Sequence, residues 1–214
     1  MYRFLGIAGS LVIFLAILLS MAGYRGKRGE KYSVLNHFIS ELGEVGVSRG
    51  APLFNAGLIA SGLLFIPFIV RLGLTIDSFW AKLGLVAGLG TAIACALVGV
   101  FPMNKLEPHI KVAKVFFRCG LATVVLFSLG IFFQPAGRAV VPLWVNAAGI
   151  VAIAAYSSFL LVPMFQPRPE HTMDPLNPEI MPERPHFWLM PALEWLVFFS
   201  TVGWLLCIAL GATV

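Results

Sequence analysis

Charged residues are scarce in this sequence. Asp, Glu, Lys and Arg together make up 12% of its 214 residues, whereas hydrophobic residues make up 59%. A soluble domain carries about 25% charged residues, so this chain has too few charges to cover a surface that faces water. The deficit excludes an ordinary soluble globular protein and indicates a chain whose surroundings are mostly lipid.

Cysteines and the common metal-binding patterns are few or missing as well. The three cysteines, Cys95, Cys119 and Cys207, lie inside apolar runs and lack the spacing of metal ligands. We therefore expect them to be small packing residues, and we infer no disulfide bond from them. Neither His-x-x-x-His nor His-Glu-x-x-His occurs, so any metal site would need ligands from separate helices.

Long apolar runs dominate the rest of the chain. A helix needs roughly 20 apolar residues to cross a bilayer, and six runs reach this length. They lie at about 4–23, 52–70, 83–101, 110–133, 139–165 and 187–211. The runs predict an all-α fold, a polytopic bundle of six transmembrane helices forming one domain over residues 1–214. Pro67 is expected to kink or weaken the second span, and Gly84 and Gly88 predict close packing of the third.

Basic residues are distributed unequally between the two ends of the predicted bundle. The connectors after the first, third and fifth spans, counted with the first turns of the fourth span, hold eleven Lys and Arg residues; the opposite end holds four. The positive-inside rule then places these connectors in the cytosol and both termini outside it. Because the same bias explains the net charge of +5, we expect membrane lipids, and no nucleic acid, as partners. The last connector, 166–185, is rich in proline and should be extended or turn-rich rather than helical.

The most polar stretch lies in the connector after the first span. Apolar residues stand at positions 34, 35, 38, 39 and 42, a spacing that predicts a short amphipathic interfacial helix near 32–43. In such a helix His37, Ser40 and Glu41 would share one face. An imidazole, a hydroxyl and a carboxylate on one face make these three residues candidates for ligand binding.

Further candidates lie at the starts of later spans, at the same predicted end of the bundle. Asn55 stands one turn inside the second span and is expected to form a hydrogen bond across helices. His109 opens the fourth span, where Lys111, Lys114 and Arg118 form a basic stripe. Arg118 lies deepest, and Glu194 lies at a similar depth in the last span, so we expect a salt bridge between them.

The motifs of this part of the chain resemble those of a known family. Tyr32 and the stretch Asn-His-Phe-Ile-Ser-Glu-Leu-Gly at 36–43 are similar to the signature of the family called domain of unknown function 998. Asn55 with Gly62, then Gly-Val-Phe-Pro at 99–102, then His109 resemble its later motifs in the same order. The resemblance implies a six-span protein of the inner or cytoplasmic membrane of a prokaryote, and it supplies no activity.

Three functions remain open. In the first, the protein binds or handles a lipid or other amphipathic ligand: the basic stripe attracts a phosphate headgroup, and His37, Glu41, Asn55 and His109 hold its polar part. In the second, it is an intramembrane hydrolase acting on lipid, in which His37, Glu41 and His109, joined by Glu194, hold a metal ion. In the third, it is a structural or assembly subunit. The sequence identifies no cofactor and no oligomeric state.

Overall fold

Six long helices make up most of the computed structural model, which describes residues 2–165 and 184–213. They are α1 (Tyr2–Ala22), α2 (Ala51–Thr75), α3 (Phe79–Val100), α4 (Leu106–Phe132), α5 (Val145–Phe165) and α6 (Leu189–Gly211). All six are long and apolar enough to cross a membrane, and the described residues contain no strand. The predicted all-α bundle of six spans is therefore confirmed.

The connectors between the helices divide the bundle into two ends. One end, called the loop end below, carries residues 23–50, residues 101–105 and the described residues 184–188. The other end carries the short turn 76–78, the connector 133–144 and the ends of the chain. The proline-rich stretch 166–185, which the sequence predicts to be extended or turn-rich, lies outside the described residues except for Arg184 and Pro185.

Two helix boundaries differ most from the expected ones. α2 continues past Pro67 to Thr75, because its last carbonyls find a partner: Lys82 Nζ donates to the carbonyls of Gly73 (2.8 Å) and Leu74 (3.1 Å). A cation at a helix C-terminus stabilises that end. α5 begins at Val145 rather than near 139, since Pro142 lacks an N–H and favours an extended residue before it.

The helices form a closed ring. Each packs against its neighbours in sequence, and α6 completes the ring by packing against α1. The backbones of α2 and α3 approach each other closely: a Cβ on Gly62 would lie 2.6 Å from the Ala92 carbonyl oxygen, and one on Gly99 would lie 2.5 Å from the Asn55 carbonyl oxygen. Gly88 faces Ile69 of α2 equally closely, at 2.6 Å. The third span is thus as tightly packed as its glycines predict.

The segment 32–43 is not one amphipathic helix. A turn at 34–36 is followed by Phe38 in an extended conformation (φ −65°, ψ 146°) and by a 3₁₀ helix, Ile39–Gly43. The Glu41 carboxylate accepts the Phe38 N–H at 2.9 Å, so this N–H is not available to an α-helix that continues through the segment. His37 therefore precedes the break, Ser40 and Glu41 follow it, and the three do not share a helical face.

Candidate functional site

A cavity of about 150 Å³ lies inside the ring of helices. All six helices and the 3₁₀ helix Ile39–Gly43 contribute to its wall, which is largely apolar, with residues such as Ile13, Phe54, Phe117 and Phe198. A dry cavity of about this size accepts a small apolar molecule. The cavity is therefore a candidate site for an apolar group.

Three of the predicted site residues meet this cavity near the loop end: Ser40, His109 and Glu194. Ser40 donates to the Met103 sulfur at 3.5 Å. His109 Nδ1 lies 2.8 Å from the Phe101 carbonyl oxygen. Because a carbonyl only accepts, the neutral ring carries its hydrogen on Nδ1 and its lone pair on Nε2. His109 thus brings a hydrogen-bond acceptor to the cavity wall.

Glu194 brings a second acceptor. Its Oε2 accepts the Ile39 N–H at 2.8 Å, which ties α6 to the first residue of the 3₁₀ helix. No residue of the described ranges donates a hydrogen bond to Oε1. The carboxylate therefore fixes the segment that covers the loop end of the cavity and keeps one oxygen for another donor.

The predicted salt bridge between Arg118 and Glu194 is wrong. No ion pair joins them in the part of the chain that the structure describes, and Arg118 is exposed. The reason is the phase of α4: His109, Ala113, Phe116 and Gly120 line the cavity, at the spacing of one helical face. The basic stripe Lys111, Lys114 and Arg118 lies on the other side of α4, where Lys111 pairs with Glu107 at 2.6 Å.

Glu41 lies outside the cavity wall, in a buried ion pair. Arg184 Nη1 donates to its Oε1 at 3.1 Å and Arg184 Nη2 to its Oε2 at 2.5 Å. The Glu41 side chain is 2% exposed and that of Arg184 is 13% exposed. Burial raises the pKa of Glu41, and the bonds from Arg184 and from the Phe38 N–H oppose this rise. Such a bidentate, charge-assisted pair holds two chain segments in one geometry.

Sequence reasoning missed Arg184 as a site residue. It is 143 residues from Glu41 in the chain and stands in a connector without hydrophobic periodicity, so no local pattern indicates the pairing. The same guanidinium donates to the Asn36 carbonyl at 3.0 Å, and Asn36 Nδ2 donates to the Pro185 carbonyl at 2.8 Å. Residues 184 and 185 are thereby bound to the first connector.

His37 is buried in an aromatic cluster beside this ion pair. Its ring centre lies 5.5 Å from that of Tyr24 and 5.0 Å from that of Tyr32, and Trp195 Nε1 donates to its carbonyl at 3.3 Å. His37 Nε2 has no hydrogen-bond partner in the described ranges; the nearest acidic atom is Glu30 Oε1, at 3.9 Å. Burial, followed by the charge of Arg184, lowers the pKa of His37 to about 4. The imidazole is therefore neutral at pH 7.

Asn55 has a structural role at the edge of the same segment. Its Nδ2 donates to the Gly43 carbonyl at 3.0 Å, so the bond runs from α2 to the connector and not to another long helix as predicted. A Cβ on Gly43 would lie 2.4 Å from Asn55 Oδ1, and hence only glycine fits there. Asn55 and Gly43 fix the last residue of the 3₁₀ helix on α2.

The predicted metal ligands do not come together. His109 lines the cavity, whereas His37 and Glu41 lie in the aromatic and ion-pair clusters. Among the described residues, no three His, Cys, Asp or Glu side chains form a group that could hold a metal ion. The three cysteines lie in those ranges and are free.

Comparison with known proteins identifies the family. The family model described as Protein of unknown function (DUF998) matches residues 7–211, which is nearly the whole chain. No match was found among curated proteins or among solved structures. With its six apolar helices, the chain is therefore a multi-pass membrane protein of the DUF998 family.

Proposed function

We propose that this protein binds an amphipathic membrane molecule inside its ring of helices. The observation that carries the proposal is the central cavity, whose wall is largely apolar and which meets Ser40, His109 and Glu194 near the loop end. Concave, mostly apolar sites with a few convergent polar groups are typical of small-molecule binding. The apolar part of the ligand would occupy the cavity and its polar end would lie against these three residues.

The polar end supplies the selectivity of such a site. In a bilayer the hydrocarbon tails are as apolar as the cavity wall, so moving a ligand chain between them yields little free energy. Hydrogen bonds to His109 and Glu194 are formed only in the site, and in a low-dielectric interior they are stronger than in water. The shape of the cavity thus limits the size of the ligand, and hydrogen bonds to the polar residues determine which ligand binds.

The connector segment Ile39–Gly43 covers this site at the loop end. Ile39 and Ser40 belong to the cavity wall, and the segment is bound at three points: Ile39 to Glu194, Glu41 to Arg184 and Gly43 to Asn55. We interpret the segment held by these three bonds as a cap that keeps the ligand's polar end out of bulk water.

Binding is better supported than hydrolysis. A serine nucleophile needs a base within hydrogen-bond reach, and in the described structure the Ser40 hydroxyl is bonded to Met103 while His109 is bonded to Phe101. The metal-assisted version lacks a convergent ligand set in the same ranges. No observation favours a structural or assembly role over ligand binding or hydrolysis.

A cavity-filling substitution tests the proposal. Ala113 lines the cavity on α4, and Ala122 lies on the same helix outside the cavity wall. We expect native mass spectrometry of the protein, purified in a mild detergent, to show a bound amphipathic molecule small enough for the cavity. Ala113→Phe should lower its occupancy about tenfold or more, since overpacking costs roughly 1–3 kcal/mol.

The matched control is Ala122→Phe, which adds the same ring outside the cavity and should keep the wild-type occupancy. A wild-type protein without any bound molecule would contradict the proposal. Equal occupancy in the Ala113→Phe and Ala122→Phe variants would contradict the cavity as its location.

We further propose that the loop end faces the cytosol of a prokaryotic cell. Seven Lys and Arg residues stand in its described connectors and three more in the first turns of α4, against four at the opposite end. Both termini then lie outside. An alkaline phosphatase fused to the C-terminus should be active, and a fluorescent protein fused there should be dark. A fluorescent C-terminal fusion without phosphatase activity would reverse the orientation.

A further inference from the structure

We infer that the polar end of the ligand is a hydrogen-bond donor, an amine or a hydroxyl, and not an anionic phosphate or carboxylate. The inference rests on the proposed function and names the chemical class of the ligand. It reverses the expectation, drawn from the basic stripe, that a phosphate headgroup is recognised.

The first ground is the pair of acceptors at the cavity wall. His109 Nε2 carries the lone pair of a ring whose Nδ1–H is directed to the Phe101 carbonyl. Glu194 keeps Oε1 available after Oε2 has accepted the Ile39 N–H. Both side chains line the same cavity. Two acceptors with unused capacity match a ligand group that carries hydrogens to donate.

The second ground is the absence of positive charge. No lysine or arginine lines the cavity in the described structure. Arg184 is bound to Glu41 and to the Asn36 carbonyl, and Arg118 is exposed away from the cavity. An anionic headgroup would be buried in the cavity without a counter-charge, and burying an unpaired charge is strongly unfavourable.

The third ground is depth. His109 and Glu194 are the fourth and sixth residues of their helices, about 5 Å and 8 Å along the axes from the first residues. Both acceptors thus lie just inside the loop end and beneath the 3₁₀ helix. This is where the head of an amphipathic molecule would lie if its chain extends into the bundle.

A set of probes with one shared chain tests the inference. Hexylamine, hexanol, hexanoate and hexyl phosphate, whose chains suit a cavity of about 150 Å³, would be added to the purified full chain in detergent, and the occupancy of each measured by native mass spectrometry. We expect the amine or the alcohol, or both, to bind about tenfold more tightly than either anion, since hydrogen bonds involving a charged group contribute roughly 1.5–3 kcal/mol.

Two variants test which residue is responsible for the preference for the amine over the two anions. Glu194→Gln keeps an oxygen for the Ile39 N–H and replaces the other oxygen with an amide NH2, which donates and does not accept. The preference for the amine over the two anions should therefore fall to near equality. Arg118→Gln, on the exposed stripe, should change none of the four affinities. Each protein is first checked for the wild-type helical content and elution volume.

The outcomes are distinguishable. Equal or tighter binding of the anions by the wild type would overturn the inference and leave the proposed function standing. Loss of anion binding in Arg118→Gln alone would also overturn it, in favour of headgroup recognition by the stripe. Undiminished discrimination in Glu194→Gln would refute the role of that carboxylate. Failure of all four probes to bind would contradict the proposed function itself.

Discussion

Replacing Arg184 with alanine is expected to lower the free energy of unfolding by about 3 kcal/mol or more. The substitution leaves the Glu41 carboxylate, which is 2% exposed on its side chain, without its charged partner. The Phe38 N–H and the distant Tyr24 hydroxyl, at 2.9 Å and 3.5 Å, then remain as its donors. Thermal or denaturant unfolding of the purified protein in detergent, followed by tryptophan fluorescence, would measure the loss.

A matched control is available at the opposite end of the bundle. Arg138 pairs with Asp77 at 3.6 Å, but the two side chains are 79% and 63% exposed. An exposed pair of this kind contributes little because water screens it, so Arg138→Ala should change stability by less than about 0.5 kcal/mol. Equal effects of Arg184→Ala and Arg138→Ala would show that burial of the Glu41–Arg184 pair does not stabilise the fold.

A double substitution separates the pair from its surroundings. Glu41→Gln removes the buried charge but keeps an oxygen that can accept the Phe38 N–H. We expect Glu41→Gln combined with Arg184→Ala to be more stable than Arg184→Ala alone, because no uncompensated carboxylate remains. Additive losses from the two single substitutions would indicate that the residues act independently.

The fold follows from the sequence because a bilayer permits few solutions. A chain in lipid must satisfy its backbone hydrogen bonds internally, so six apolar runs of sufficient length can only be six helices. The boundaries depend on details that hydropathy does not record. Lys82 extends α2 by binding its last carbonyls, and Pro142 delays the start of α5.

The candidate site was predictable only in part. Local sequence identifies polar residues near span ends, and Ser40, His109 and Glu194 do meet at one cavity. The rotation of α4 about its axis was also predictable. His109 and Arg118 are nine residues apart, which places them on opposite faces of the helix at about 100° per residue. Matching Arg118 to Glu194 by depth alone ignored this rotation.

The Glu41–Arg184 pair and the position of Phe38 were not predictable in this way. The pair joins segments far apart in the chain, and a single sequence contains no signal of such a contact. The 3₁₀ helix Ile39–Gly43 replaces the expected α-helix because one carboxylate binds the backbone N–H of Phe38. A side-chain bond of this kind competes with helical hydrogen bonds, and apolar spacing cannot reveal it.

Acidification is expected to destabilise the protein through His37. In the unfolded chain this imidazole titrates near pH 6.5, whereas in the folded protein its pKa is lowered to about 4. Between these two values the unfolded state binds a proton that the folded state does not. Stability is therefore fully present above about pH 6.5 and is lost as the pH falls toward 4, by about 3 kcal/mol in total.

The surroundings of the His37 imidazole lower its pKa. A protonated His37 would be buried at 1% exposure between Tyr24 and Tyr32, close to the guanidinium of Arg184. Glu30 Oε1, 3.9 Å from Nε2, is the nearest carboxylate oxygen and partly offsets this cost. Glu41 acts in the opposite direction, since its pKa is raised and protonation of a group with a raised pKa favours the folded state as the pH falls.

Comparison of variants isolates the contribution of His37. The free energy of unfolding in detergent would be measured from pH 7 to pH 4 for the wild type, for His37→Gln and for His186→Gln, which removes an exposed imidazole. His37→Gln should start less stable at pH 7, because the ring contacts with Tyr24 and Tyr32 are lost, and should then change less with pH than the wild type. His186→Gln should retain the wild-type slope. If the wild type and His37→Gln lose stability in parallel as the pH falls, the buried neutral imidazole is not the origin of the acid sensitivity.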